Sequence, residues 1–271
     1  MPTNEEAGLG PADTSSRPEF LEYYAMASLS AATIDRYLHI LKTIEHVRGR
    51  FDPDSSLVVA DIGCGAGAQC EIWARRGHKV VGLDINEPLI ELARRRAEDQ
   101  RLSIAYSVGS ATSLPWESSS IDICIMPELL EHVADWKSCL GEACRVLGPN
   151  GTLFLTTTNV WCPRQEEFNL PAYSWYPSIA KHYFERLART THPKLANYAT
   201  YPAVNWFSFG QLSRYLDGQG FECFDRFRAA DIDGSLMRRE ALRALRWSRP
   251  LRALAQLVSP YTQLVATRRA K

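Results

Sequence analysis

The chain has 271 residues, 45 % of them hydrophobic and 23 % charged, the composition of an ordinary globular protein that can bury a full core. Lysine plus arginine and aspartate plus glutamate each total 31, so no global field marks a nucleic-acid binder. The chain has no apolar run of bilayer-spanning length and no signal-peptide core between Met1 and Ser16, and its seven cysteines show neither a C-x-x-C pair nor zinc-ligand spacing, so the cytoplasm is the expected compartment.

Residues 1–17 carry Pro, Gly, Ser, Thr and acids with little to bury, and are expected to be a disordered tail ahead of a single domain at 18–271. Within 18–50, Ile34, Tyr37, Leu38, Leu41 and Ile44 recur at helical spacing. They predict an amphipathic helix that either packs on a sheet or closes over a ligand. Residues 58 to 67, Val-Val-Ala-Asp-Ile-Gly-Cys-Gly-Ala-Gly, then feed an apolar run into an acid and a glycine at every second position. The pattern reads as strand, tight loop and helix start, with Gly63, Gly65 and Gly67 letting backbone lie where a Cβ would collide with a ligand. The following helix aims its free N–H groups at the same place. Gly63, Gly65 and Ala68 also satisfy the looser dinucleotide fingerprint. Asp61 argues against that reading, because a carboxylate there repels a pyrophosphate and attracts the ammonium and sulfonium of a cationic nucleoside.

Lys79 to Leu83 reads as a second strand ending at Asp84, 17 residues beyond Gly67, where a carboxylate can accept hydrogen bonds from both ribose hydroxyls. Asn86 caps a helix with Leu89, Leu92, Ala93 and Ala97 on its apolar side, and Ile104 to Val108 make a third strand. Ile121 to Ile125 form a fourth. Asp135 can cap a helix carrying Trp136, Leu140, Ala143 and Leu147 that ends at Gly148-Pro149, and Thr152 to Thr157 form a fifth strand. Strands alternating with helices mean a parallel sheet covered on both faces, with ligands at the strands' carboxyl ends. Cys64 and Cys124 read as small packing residues.

Four separated motifs carry a resemblance across residues 55 to 160: the glycine loop, Asp84, Val108-Gly-Ser-Ala-Thr-Ser-Leu-Pro-Trp116, and Pro127-Glu-Leu-Leu-Glu-His-Val133 with Arg145-Val-Leu-Gly-Pro-Asn-Gly151. In this order they resemble the class I S-adenosylmethionine-dependent methyltransferases, in particular the group with the ubiquinone and menaquinone enzymes. The resemblance implies an α/β, Rossmann-like, seven-stranded, mostly parallel sheet with its last strand antiparallel; Phe221 to Arg228 and Gln263 to Thr267 are the candidates for the closing strands. It implies S-adenosylmethionine as cofactor, with Gly63, Gly65 and Gly67 under its methionine part, Asp61 orienting the loop and amino end, and Asp84 on the ribose. Ile85 packs on the adenine in this reading, Ala111 lies at its edge, and Met126 completes the set. Ser110 stands where many relatives have an aspartate that receives the adenine amino group, so its contact lacks charge assistance. The cofactor-binding core is thus 55–158.

From 159 to 206 ten of 48 residues are aromatic, and the segment leaves strand five on the ligand rim. It reads as a substrate lid or as a subdomain packed on itself. Ser208-Phe-Gly-Gln211 fits a capping box that returns the chain to helix, with C-terminal helices and the closing strands at 207–271. Transfer to a hydroxyl needs a base, for which His132 at the rim and His182 and His192 in the insert are candidates. No metal is expected, since Glu128, Glu131 and His132 make only a weak metal pattern. Gly234 to Lys271 carries nine basic residues against Glu240 alone, with Leu242, Leu245 and Trp247 interleaved. Such a stretch either lies on an anionic membrane surface or is a solvated helix with its leucines on the sheet. The expected function is methyl transfer to a small-molecule acceptor, a hydroxyl of a sugar, phenol, quinone precursor or lipid-linked glycan. The alternative is a cofactor-binding regulatory or scaffolding protein without turnover.

Overall fold

The computed structural model describes residues 25–49, 56–196, 202–230 and 236–269; the expectation for the tail at 1–17 lies outside them. Helix α1 (Ala31–Arg48) starts where the Ser30 hydroxyl accepts from the Thr33 N–H, one of the donors a helix start leaves free. Its buried face is Ile40, Leu41 and Ile44, packed with Trp73, Phe154 and Val265 on one side of the sheet. Each such burial contributes about 1.5–3 kcal/mol, so packing outweighs the cap in holding this helix.

The strands are β1 (Val58–Ile62), β2 (Lys79–Asp84), β3 (Ile104–Val108), β4 (Ile121–Pro127), β5 (Leu147–Thr158), β6 (Phe221–Asp225) and β7 (Tyr261–Arg268). They form one seven-stranded sheet in the order β3-β2-β1-β4-β5-β7-β6, with β7 antiparallel to both neighbours and the other pairs parallel. Strand order reverses beside β1, which opens a crevice at its carboxyl end. Helices α2 (Ala68–Ala74) and α3 (Glu87–Asp99) share the α1 face. On the opposite face α4 (Trp136–Val146) supplies Leu140 and Ala143 to a second core. Asn86 and Asp135 cap α3 and α4 as their positions predict.

Strand β4 runs on to Pro127 rather than ending at Ile125, and other boundaries differ from expectation as well. Helix α4 stops at Val146, and Leu147 already pairs with Ile121, so β5 begins five residues early across a register shift. Strand β6 ends at Asp225 rather than Arg228, because the Asp225 carboxylate accepts from the Phe227 and Arg228 N–H groups and starts α5 (Arg226–Ala229). Strand β7 extends beyond 263–267 at both ends.

Between β5 and helix α6 (Phe209–Gly218), which Ser208 caps, lies the aromatic insert. It contains α7 (Ser178–Thr190) and a core of its own built on Phe168, Tyr173, Ala188 and Ala196. Phe168 stacks on Tyr173 at 4.1 Å and Trp206 meets Tyr173 edge-on at 5.2 Å.

Candidate active site

The turn after β1 is fastened to β2 by backbone: the Gly63 and Cys64 N–H groups donate to the Leu83 carbonyl at 2.7 and 3.1 Å. The Gly65 N–H donates to Asp84 Oδ2 at 2.8 Å, and the Asn86 N–H donates to Asp84 Oδ1 at 2.8 Å. One carboxylate therefore joins the glycine loop to the end of β2. Gly65 has φ +50° and a Cβ there would meet nothing within 4 Å, so it faces open space. Gly67, at φ +80°, does different work. A Cβ there would strike the Tyr106 hydroxyl and come within 2.9 Å of the Ala93 methyl, so this glycine lets α2 and α3 pack.

Asp61 is 2 % exposed. Its Oδ2 receives the Cys70 thiol at 3.4 Å, while Oδ1 has no hydrogen-bond partner among the described residues. Burial first, and the charge of Asp84 as well, push its carboxyl up to about 7. A buried acceptor without a donor is costly, and a ligand ammonium supplies both the donor and the charge. Around Asp84 the apolar side chains of Ile85 and Val108 are 60 % and 45 % exposed at the sheet rim. They suit a flat base laid over them. Ala111 is buried at the edge of that region, and the Ser110 hydroxyl is shared with Thr112 Oγ1 at 2.8 Å. Met126 is fully buried, packed in the core below the rim.

The rim beyond β4 is acidic. Glu128, at φ +51° just past β4, pairs with Arg36 of α1 at 2.5 Å. Glu131 is fully buried and accepts from the Thr157 hydroxyl at 2.8 Å, and burial, reinforced by Glu167 and Glu128, pushes it up to about 8. Burial and the neighbouring Glu128 and Glu166 push Glu167 up to about 7. Tyr37, pushed up to about 12 by burial and then by Asp61, lies beside Arg36. Helix α1 thus packs on the sheet, the first of its two expected roles, and also brings Arg36 and Tyr37 beside Glu128.

His132 is half-buried in the turn after β4, next to Glu131. His182 and His192 are exposed; the first bonds through Nδ1 to the Ser178 carbonyl of its own helix, the second through Nδ1 to the Thr191 hydroxyl. Trp161 and Trp175 are more than half exposed and linked, Trp175 Nε1 donating to the Trp161 carbonyl at 3.1 Å. Arg36, Tyr37, Val108, Thr157 and Glu167 were not legible as site residues. Tyr37 counted only as part of an apolar stripe, and only the acidic pair Glu166-Glu167 within an aromatic segment hinted at the last. Among the described residues no group of three or more His, Cys, Asp or Glu is placed to hold a metal ion.

A glycine turn under the carboxyl end of β1, a carboxylate ending β2 and the strand order with an antiparallel β7 make up an α/β fold of the methyltransferase type. Residues 60–155 match the family described as "Methyltransferase domain". The ubiquinone biosynthesis O-methyltransferase of Coxiella burnetii is 33 % identical over 162 residues, 60 % of this chain and 65 % of that protein's length. The fold is shared with phosphoethanolamine N-methyltransferase 2 of Haemonchus contortus, in complex with S-adenosyl-L-methionine, with TM-score 0.63 and 16 % identity over 98 % of this chain and 61 % of that one. It is also shared with geranyl diphosphate C-methyltransferase of Streptomyces coelicolor, with TM-score 0.56 and 17 % identity over 97 % and 90 % of the two chains.

Proposed function

We propose that the chain binds S-adenosylmethionine and transfers its methyl group to an oxygen of a small-molecule acceptor. The observation that carries this reading is the buried Asp61 with its unmet Oδ1, set beneath a glycine loop tied to Asp84. The likeness to an O-methyltransferase over 162 residues supports oxygen as the atom methylated. Bound there, the cofactor supplies an electrophilic methyl carbon on a sulfonium. Asp61 holds the ammonium, Asp84 the ribose hydroxyls, and Ile85 with Val108 the base. Asp61 once ionised, with Asp84 tied to the glycine loop, sets negative charge beneath the cleft, which favours a cation there over a pyrophosphate.

Transfer from a sulfonium is an in-line displacement, so the protein's work is to align the acceptor, exclude water and take its proton. His132 takes that proton in this reading. It sits on the rim half-buried, whereas His182 and His192 are exposed. The test is methyl transfer to candidate phenols, sugars and quinone precursors, followed by product mass. His132→Ala should lower turnover about 10²- to 10⁴-fold with cofactor affinity nearly constant. Full turnover in that variant would pass the role to His182 or His192; cofactor binding with no transfer to any acceptor would favour the binding-only alternative.

A further inference from the structure

Two helices stand where β6 would otherwise turn directly into β7: α8 (Leu236–Trp247) and α9 (Arg249–Leu257). Strand β6 runs parallel to β5, so the insertion leaves the sheet on the same rim as the cofactor loop. It is anchored there. Asn159, just past β5, donates through Nδ2 to the Gln256 and Ser259 carbonyls at 2.7 and 2.8 Å.

The pair is partly covered on one side and leaves apolar side chains in solvent on the other. Leu242 and Leu245 are half-covered, and Arg246 is bound to the body through the Phe227 and Arg228 carbonyls. Met237 at 83 %, Trp247 at 94 %, Leu254 at 60 % and Val258 at 78 % are exposed, with Leu251 between them. Leu251, Leu254 and Val258 advance by three and four residues along one side of α9, and Trp247 ends α8 before the extended Ser248 that separates the two helices. Scattered exposed leucines need no explanation, but a row of this kind does.

Beside the row opens a cleft of about 400 Å³ lined by Phe224, Arg228, Arg246 and Arg252. Asp225 lies 3.8 Å from Arg252 and Glu222 3.4 Å from Arg228, so two carboxylates face three guanidinium groups. Arg239 adds exposed positive charge along α8, while Arg243 is paired with Glu240 at 2.6 Å. An apolar row flanked by arginines complements a surface that is apolar beneath and anionic at its face; a second copy of this chain would set arginine against arginine.

We propose that α8 and α9 dock the protein on an anionic phospholipid surface, with the Trp247–Leu254 row in the interface and a lipid phosphate in the arginine cleft. This stands apart from the reaction proposed above and is read without it. Its consequence for that reaction is geometric, because docking through the rim turns the cleft toward the lipid face.

The test is sedimentation of the full chain with phosphatidylcholine vesicles, with and without phosphatidylglycerol. Recovery is expected with the anionic vesicles only, falling as salt screens the arginines. Trp247→Ser with Leu254→Ser should abolish it, both positions being exposed so that the fold, checked by circular dichroism, stays intact. Arg228→Gln and Arg239→Gln should each weaken partitioning about five-fold. Equal recovery with neutral vesicles, no recovery with either, or unchanged recovery for the double serine variant would overturn the proposal. Binding of inorganic phosphate without vesicle binding would assign the cleft to a free anion instead. A dimer that dissociates in the serine variant without vesicle binding would assign the row to a second copy.

Discussion

At the scale of single residues the site is dominated by carboxylates kept out of water. In the proposed role Asp61 holds a cation only when ionised, and its carboxyl is pushed up to about 7 by burial. Cofactor affinity should therefore fall as pH drops through about 7, and Asp61→Asn should bind about 10- to 100-fold more weakly at pH 8 with a flatter pH profile. Calorimetric titration at several pH values measures both; an unchanged profile in the variant would place the titrating group elsewhere. Glu131 has a different consequence. Its folded-state pKa, about 8, lies above the unfolded value, so the native state holds the extra proton and stability falls as pH rises from the ordinary carboxylate range through about 8. Glu131→Gln removes the charge while keeping an acceptor for the Thr157 hydroxyl. Its melting temperature should exceed that of the native chain at pH 8.5, and the gap should close at pH 5.5; a pH-independent difference would exclude titration as its cause.

At the scale of elements, the glycine loop divides its labour. An alanine at positive φ costs about 1–2 kcal/mol, the whole fold penalty expected for Gly65→Ala because its Cβ side is open. Gly67→Ala also overpacks α2 against Tyr106 and Ala93, adding about 1–3 kcal/mol. Urea unfolding should rank the two in that order, with cofactor binding suffering in Gly65→Ala despite its milder fold cost; equal destabilisation would remove the packing role from Gly67. The loop, Asp84, the caps and the alternation of strands and helices were legible because each is a local pattern in sequence. The true start of β5 was not, since Leu147 leaves its helix only to pair with Ile121 across the sheet. The end of β6 turned on whether the Asp225 side chain would cap or the backbone would extend. Glu167 and Tyr37 reach the rim through tertiary packing, which no spacing records.

Across the whole molecule the sheet carries two cores and the insert a third, built from its own aromatics. The insert is thus self-packed, yet its exit segment is tied to the turn after β4, since the Val204 and Asn205 N–H groups donate to the Glu131 carbonyl at 2.7 and 3.2 Å. Asn205 Nδ2 also donates to the Leu130 and Val133 carbonyls on either side of His132. Tyr173 is fully buried between Phe168 and Trp206, and its loss should cost about 3–5 kcal/mol, a large share of what so small a core can hold. Tyr173→Ala should then open the insert while the sheet stays folded, raising hydrogen exchange in 160–196 but not in β1 or β4. Cofactor affinity should stay within about two-fold, because Asp61, the glycine loop and Asp84 lie in the other cores. Turnover should fall by about 10-fold or more if His132 is the proposed base, because the insert steadies the turn that carries it. If cofactor binding were lost in step with turnover, the insert would be part of the cofactor fold rather than a separate support for the acceptor.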